Sequence, residues 1–109
     1  INSLGFAFAT TSYRMNGLAV ETGVADLVDV AAVFSATHTV PTHTLLTGVS
    51  EGGLITALAI EQRSDVFDGG LAACGPIGDF SKQINYFGDF RVLFDYFFPG
   101  VLPGSPIAH

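Results

Sequence analysis

The residues with the clearest chemical potential are Gly48-Val49-Ser50-Glu51-Gly52, which form a Gly-x-Ser-x-Gly sequence. An apolar run precedes them and a helical pattern follows, which predicts that the serine lies on a sharp turn from a strand into a helix. On such a turn the Ser50 hydroxyl projects from the sheet edge, as a nucleophile must. The first backbone N–H groups of the helix, including that of Glu51, would stabilise a developing oxyanion.

Glycine is expected on both sides of this serine for steric reasons. A side chain at Gly48 or Gly52 would crowd the tight turn, and glycine enters strained dihedrals at little cost. Gly53 adds a small residue where the new helix passes close to the sheet. The same pattern also occurs in ordinary turns and in phosphate-binding loops, but the strand before it and the helix after it favour the nucleophile.

The rest of the sequence predicts an α/β arrangement that supports this turn. Apolar runs predict three strands, and helical spacing of apolar residues predicts two helices between them. The strands cover Leu4 to Thr11, His43 to Val49 and Leu71 to Cys74, and the helices cover Gly23 to Thr37 and Glu51 to Arg63. Strands that alternate with helices of this length predict a parallel sheet with crossover helices.

The loop after the first predicted strand offers candidate substrate-binding residues. Ligands bind at the carboxyl ends of parallel strands, so Tyr13, Arg14 and Asn16 are candidates for the rim of a site. A plain connecting loop with Asn16-Gly17 as turn residues is the alternative. Asp26, near the start of the first helix, is expected to favour the helix dipole.

Residues 79–109 have a different character, because eight aromatic residues lie between Asp79 and Pro99. A helix capped by Asp79 or Ser81 would place four of them on one face: Phe87, Phe90, Phe94 and Phe97. Such a stripe serves either core packing or a lid that faces the substrate.

Composition restricts the possible partners. The 109 residues suit one small domain, and 49% of them are hydrophobic while only 13% are charged. We therefore expect the chain to be a piece of a longer protein whose remaining polypeptide covers part of this surface. The net charge of −6 argues against nucleic acid or an anionic membrane as partner. The single Cys74 excludes an internal disulfide, and no metal-ligand spacing appears, so neither a metal nor a cofactor is expected.

With these motifs in order, the sequence from about Leu4 to Gly78 resembles the α/β-hydrolase superfamily, in a style similar to secreted esterases and prolyl-oligopeptidase-like hydrolases. The resemblance implies an incomplete three-layer sandwich in which residues 1–78 form the central part of the core. It also implies that residues 79–109 form a helical, cap-like segment. Likeness to secreted enzymes would suit a secreted protein.

The resemblance assigns Ser50 as the nucleophile and the Glu51 backbone N–H as one oxyanion donor. In that family the acid and the histidine base follow on later strands, which are missing here. His38 and His43 precede the strand-to-helix turn Gly48–Gly52, here called the elbow, and are expected at the far edge of the sheet. His109 follows the elbow, but no further strand or acid precedes it. This piece alone is therefore expected to show no useful turnover.

The favoured function is hydrolysis of an ester or related acyl bond in a small-molecule or peptide substrate, through an acyl-enzyme on Ser50. Three alternatives stay open: a serine peptidase, an acyltransferase with an acceptor other than water, and a binding module that kept the fold without the chemistry.

Overall fold

The computed structural model describes residues 1–104, so His109 lies outside the described residues. Backbone contacts divide the chain into a first unit, Ile1–Ile77, and a second unit that begins at Gly78. A 3-10 turn at Asn2–Leu4 precedes the regular elements. These are, in chain order, α1 (Val20–Thr37), β1 (Leu45–Val49), α2 (Glu51–Gln62), β2 (Gly69–Ala73) and α3 (Phe80–Phe97).

The first unit is built around two parallel strands joined by α2. β1 and β2 pair in register from Leu45 opposite Gly69 to Val49 opposite Ala73. Helix α2 packs on one face of both strands, and α1 packs against α2. The largest fully buried side chain is that of Ile55 in α2, and Ala19, Ala59 and Phe67 are buried as well. The α/β character predicted from the sequence is confirmed for this part of the chain.

Glycines in the strands let α2 approach the sheet closely. A Cβ placed on Gly48 would lie 2.0 Å from the carbonyl oxygen of Gly52 and 2.5 Å from Thr56 Oγ1. A Cβ on Gly70 would lie 2.8 Å from Thr56 Cγ2. The helix therefore rests almost on the backbone of the strands, which no larger residue at these positions would permit.

The opposite face of the two strands is open. Residues aligned in a parallel pair share one face, and the face away from α2 carries Leu45, Val49 and Leu71. All three side chains are exposed. Parallel sheets are normally covered on both faces. Covering this apolar face of the described two-stranded sheet would therefore stabilise it.

The first predicted strand, Leu4 to Thr11, is wrong. Leu4 ends the 3-10 turn, Gly5 follows with a left-handed φ of 81°, and the residues after it belong to no helix or strand. A strand exists only when its N–H and C=O groups pair with a neighbouring strand. An apolar run reports a tendency to be buried and carries no information about that neighbour.

Burial on the helices does not follow the spacing of residues alone. In α2 the buried residues are Gly53, Ile55, Thr56 and Ala59, whereas Leu54, Ala57 and Leu58, which also lie at helical spacing, are only partly buried. Apolar residues surround most of this helix, so periodicity does not single out one face. In α1 the buried residues are Gly23 and Asp26.

In the second unit, Asp79 caps α3 by accepting a hydrogen bond from the Lys82 backbone N–H at 3.3 Å. This is one of the two caps predicted. No residue of α3 is buried, so its phenylalanines do not pack in a core of the described chain. Arg91 bonds Asp95 at 2.9 Å and the Pro103 carbonyl oxygen at 2.7 Å, which fixes the chain after the helix. None of the described helices combines the length and apolarity that crossing a membrane requires.

The approach of α2 to β1 predicts that Gly48→Ala is severely destabilising. The new methyl group would overlap the Gly52 carbonyl group, and relief would need movement of the helix, so we expect the free energy of unfolding to fall by about 3 kcal/mol. Urea unfolding followed by circular dichroism measures this. Gly52→Ala is the matched control, because a Cβ there meets nothing within 4 Å. Equal stability of the two variants would contradict the packing described.

Candidate functional site

Ser50 joins β1 to α2 in a conformation that few residues other than glycine adopt. Its φ is 57° and its ψ is −121°, and its side chain is exposed. This backbone conformation is the mirror image of an ordinary extended one, so it is accessible to glycine and strained for an L-residue. The strain predicted for the turn is thus present, but it lies on the serine itself.

The surrounding backbone holds Ser50 in this conformation. The Ser50 N–H donates to the Ala73 carbonyl oxygen at the end of β2 at 2.9 Å, and its own carbonyl oxygen accepts from Gly53 and Leu54 at 2.9 and 3.2 Å. Ser50 occupies the N-cap position of α2, yet its hydroxyl makes no capping hydrogen bond. The hydroxyl is therefore not consumed by the helix, as the hydroxyl of an N-cap serine usually is.

The glycines of the elbow contribute unequally. The crowding predicted at Gly48 is confirmed, whereas that predicted at Gly52 is wrong: its φ is not left-handed, and a Cβ would meet nothing within 4 Å. A Cβ on Gly53 would lie 2.9 Å from the Ala73 carbonyl oxygen. One on Gly75 would lie 2.8 Å from the Leu54 nitrogen, so the loop after β2 also needs a glycine.

The first turn of α2 supplies free donors beside Ser50. The first four N–H groups of a helix have no partner within it, and here those of Gly53 and Leu54 bond the Ser50 carbonyl oxygen. The N–H groups of Glu51 and Gly52 are the remaining two. A helix N-terminus carries partial positive charge, which favours negative charge close to it.

The loop that contains Tyr13 and Arg14 is tied to α1. Arg14 donates its backbone N–H to one carboxylate oxygen of Asp26 at 3.1 Å, and its Nε bonds the other. Its terminal nitrogen reaches Asp29 at 2.8 Å. Tyr13 has a left-handed φ of 54°, and its N–H donates to Thr11 Oγ1 at 3.0 Å.

Asp26 is the buried anchor of this loop, with only 5% of its surface exposed. The expectation that it serves the helix dipole is wrong, because Asp26 lies beyond the first turn of α1, where the acidic residue is Glu21. Burial would raise the pKa of Asp26, but the hydrogen bonds and positive charge of Arg14 outweigh burial and leave this pKa lowered. The same contacts raise the pKa of Arg14.

A second tie joins the loop to the elbow. The Glu51 carboxylate accepts a hydrogen bond from the backbone N–H of Ala19, the residue that precedes α1. The pKa of Tyr13 is raised, first by partial burial and then by the negative charges of Glu51 and Asp26. Tyr13 therefore lies close enough to the Glu51 carboxylate to respond to its charge, whereas the Arg14 guanidinium is engaged by two aspartates.

The histidines of the described chain lie away from Ser50. His38 ends α1 and stacks on Phe34, with ring centroids 4.8 Å apart. His43 lies before β1 and approaches Asp68 at 3.6 Å. Ser50 follows the other end of this five-residue strand, which is about 17 Å long. Within residues 1–104, no three histidine, cysteine or acidic side chains cluster as a metal site would require.

The order β1, strained turn, α2 and parallel β2 defines an α/β protein with an exposed serine at the carboxyl end of a strand. Residues 2–86 match the sequence profile of the prolyl oligopeptidase family. The chain belongs to that family and hence to the α/β-hydrolase superfamily, as the resemblance predicted. No curated protein and no solved structure matches the chain.

The anchoring role of Asp26, the contact of the Glu51 carboxylate and the steric need for Gly75 were not predicted from the sequence. A signal for Asp26 was present, since it lies three residues after Gly23 and four before Val30, on a face that otherwise bears small or apolar side chains. The bond from Ala19 to Glu51 spans 32 residues and leaves no trace in a local pattern.

The strain on Ser50 predicts that Ser50→Gly is more stable than Ser50→Ala. Both variants lose the hydroxyl, but only glycine adopts the left-handed φ freely. We expect the glycine variant to unfold with a free energy about 1 kcal/mol higher. Denaturant unfolding of the two variants measures the difference. A more stable alanine variant would show that the serine backbone is unstrained.

The Asp26 contact predicts loss of stability in acid. The pKa of Asp26 is lower in the folded chain than its ordinary value of 3.8. Its stabilisation is therefore complete above that value and disappears as the pH falls through the lower, folded-state pKa. Asp26→Asn should reduce stability at neutral pH and flatten the decline in acid, as measured by urea unfolding across this range.

Asp29→Asn is the control for this experiment, because Asp29 bonds the same guanidinium from an exposed position. We expect it to change the acid profile less than Asp26→Asn does. The free energy of unfolding should still fall somewhat in acid in both variants, since Asp65 and Asp68 also have lowered pKa values. If Asp26→Asn leaves the pH dependence of stability unchanged, Asp26 does not stabilise the fold through its charge.

Proposed function

We propose that this chain carries the nucleophile of a serine hydrolase that cleaves an acyl bond through Ser50. Family membership gives the chain a serine-hydrolase lineage. The observation that supports the assignment of Ser50 is its strained, exposed position between β1 and α2, with a hydroxyl that caps nothing. Strained dihedrals at an exposed nucleophilic side chain are typical of catalytic residues.

In this proposal Ser50 Oγ attacks the carbonyl carbon of the substrate and its proton passes to a histidine base. The bond to the leaving group then breaks, and the leaving group takes that proton while the acyl group stays on Ser50. Water, activated by the same base, releases the acid. The backbone N–H of Glu51 is the proposed donor to the oxyanion formed in both steps.

The base and the acid that orients it are proposed to come from further residues of the same polypeptide. His38 and His43 precede β1 and lie near the end remote from the elbow, which is too far for the hydrogen bond that a general base requires. Residues 1–109 by themselves are therefore expected to turn over no substrate usefully, since Ser50 without a base is a weak nucleophile.

Two classes of substrate have a carbonyl group that Ser50 can attack. The sequence pattern favours an ester or related acyl bond, and membership of the prolyl oligopeptidase family supports a peptide bond. Tyr13 is proposed to contact the substrate, because its side chain is half-buried and belongs to the loop that Glu51 ties to the elbow. Arg14 is proposed to contribute chiefly by holding this loop, since its guanidinium is already paired.

Family membership also supports a proposal for how the two parts of the chain are used. Residues 1–78 would be the central part of an α/β-hydrolase core, with more of the polypeptide covering the exposed face of Leu45, Val49 and Leu71. Residues 79–109 would form a cap, for which the exposed aromatic side chains of α3 are suited. The net charge of −6 supports a partner that is neither nucleic acid nor an anionic membrane.

Labelling by a fluorophosphonate tests the nucleophile directly. In the full polypeptide we expect one covalent adduct on Ser50, and we expect Ser50→Ala to abolish it and to lower kcat/KM at least about 10³-fold. Ser64→Ala, at an exposed serine after α2, should label as the parent does. Mass spectrometry locates the adduct.

Other results would favour the alternatives. Persistent absence of labelling would support a binding module without catalysis. Steady-state rates with p-nitrophenyl esters and with peptide anilides separate an esterase from a peptidase, and transfer of the acyl group to an added alcohol or amine in preference to water would indicate an acyltransferase.

A further inference from the structure

The side chain of Glu51 has a partner that the proposed chemistry does not use. That chemistry needs only the Glu51 backbone N–H, whereas its carboxylate accepts the backbone N–H of Ala19. Ala19 is 2% exposed and precedes α1, and its carbonyl oxygen accepts from Gly23 at 2.7 Å. A buried N–H without a partner is costly, so the carboxylate satisfies a group that water does not reach.

The other end of the same segment is held by Asp26. The backbone N–H and guanidinium of Arg14 both bond this buried carboxylate on α1. The residues between the two ties, 15–18, are exposed. Tyr13–Ala19 is thus a loop fastened to α1 at its start, where Arg14 also bonds Asp29, and to the first residue of α2 at its end.

The bond from Ala19 to Glu51 places the end of this loop beside the elbow, and Tyr13 lies at its start, next to the residue that bonds Asp26. Partial burial, and then the negative charges of Glu51 and Asp26, raise the pKa of the Tyr13 phenol, which agrees with this placement. Its left-handed φ of 54° is strained for a tyrosine, and such a conformation persists only where the surroundings impose it. The Tyr13 N–H donates to Thr11 Oγ1 at 3.0 Å and the following N–H, of Arg14, donates to Asp26, so both peptide groups around Tyr13 are held.

We propose that the Glu51 side chain is a positioning residue, which holds the loop Tyr13–Ala19 beside Ser50 and so shapes one wall of the acyl site. The inference rests on the proposed function. Its consequence is a division of roles within one residue: the backbone N–H of Glu51 serves the reaction, and its carboxylate orders the substrate-binding loop. Removing the carboxylate leaves the N–H in place, so substrate binding should suffer more than the chemical step.

Three variants of the full polypeptide test this division. Glu51→Ala removes the acceptor, and we expect KM to rise about tenfold while kcat changes less than about threefold. Glu51→Gln keeps an oxygen that can accept from Ala19, so it should restore most of the loss. Glu61→Ala, at an exposed acid on the same helix, is the control and should behave as the parent.

Amide hydrogen exchange measures the hydrogen bond between Ala19 and Glu51 independently of activity. In Glu51→Ala the Ala19 amide and the peptide over residues 13–19 should exchange at least about tenfold faster, and in Glu51→Gln much less so. The pKa of Tyr13, followed by its ultraviolet absorbance against a Tyr13→Phe reference, should fall when the Glu51 charge is removed. Unchanged exchange in Glu51→Ala would overturn the proposal.

The kinetic and exchange results distinguish the proposed role of Glu51 from the proposed role of Ser50. Faster exchange with an unchanged KM would show that Glu51 is merely structural, and a fall in kcat at constant KM would place its side chain in the chemistry; either result overturns the positioning role. If the parent protein fails to label at Ser50, the proposed function fails. The exchange and Tyr13 measurements then still decide whether Glu51 holds the loop.

Discussion

The close approach of the first turn of α2 to the ends of β1 and β2 is the constraint on which the rest of the first unit depends. Gly48 meets the Gly52 carbonyl group, and Gly53 meets the Ala73 carbonyl group and Gly75. No side chain lies between helix and strands at these positions, so their backbones are in contact. The chain must therefore turn from strand to helix within one residue, and the unusual dihedral angles of Ser50 make that turn.

The strain at Ser50 is maintained because several independent contacts fix the residues on either side. β1 is paired along its length with β2, α2 buries Ile55 and Ala59, and the Ser50 N–H bonds the last residue of β2. Relaxing the serine would require one of these contacts to break. A left-handed non-glycine residue costs on the order of 1–3 kcal/mol, and burial of a single large aliphatic side chain offsets much of that.

The local parts of this arrangement were predictable from sequence, and the nonlocal parts were not. The elbow, α2 and the Asp79 cap each follow from residues within one short window. The missing strand at Leu4 to Thr11 depends on a pairing partner, and the buried face of α2 depends on what packs against it. Gly52 shows the same limit: the motif demands glycine there, but among the described residues no neighbour explains why.

The acidic residue directly after the proposed nucleophile presents an electrostatic difficulty. A carboxylate at the first position of α2 favours the helix dipole, yet its charge would oppose an oxyanion forming at the same helix end. The hydrogen bond from Ala19 holds the Glu51 carboxylate on the loop and solvates its negative charge without cancelling it. Among the described residues the backbone N–H of Glu51 has no hydrogen-bond partner, as is usual for the first N–H of a helix. In the proposed positioning role, the contact that orders the loop also directs the Glu51 charge toward Ala19.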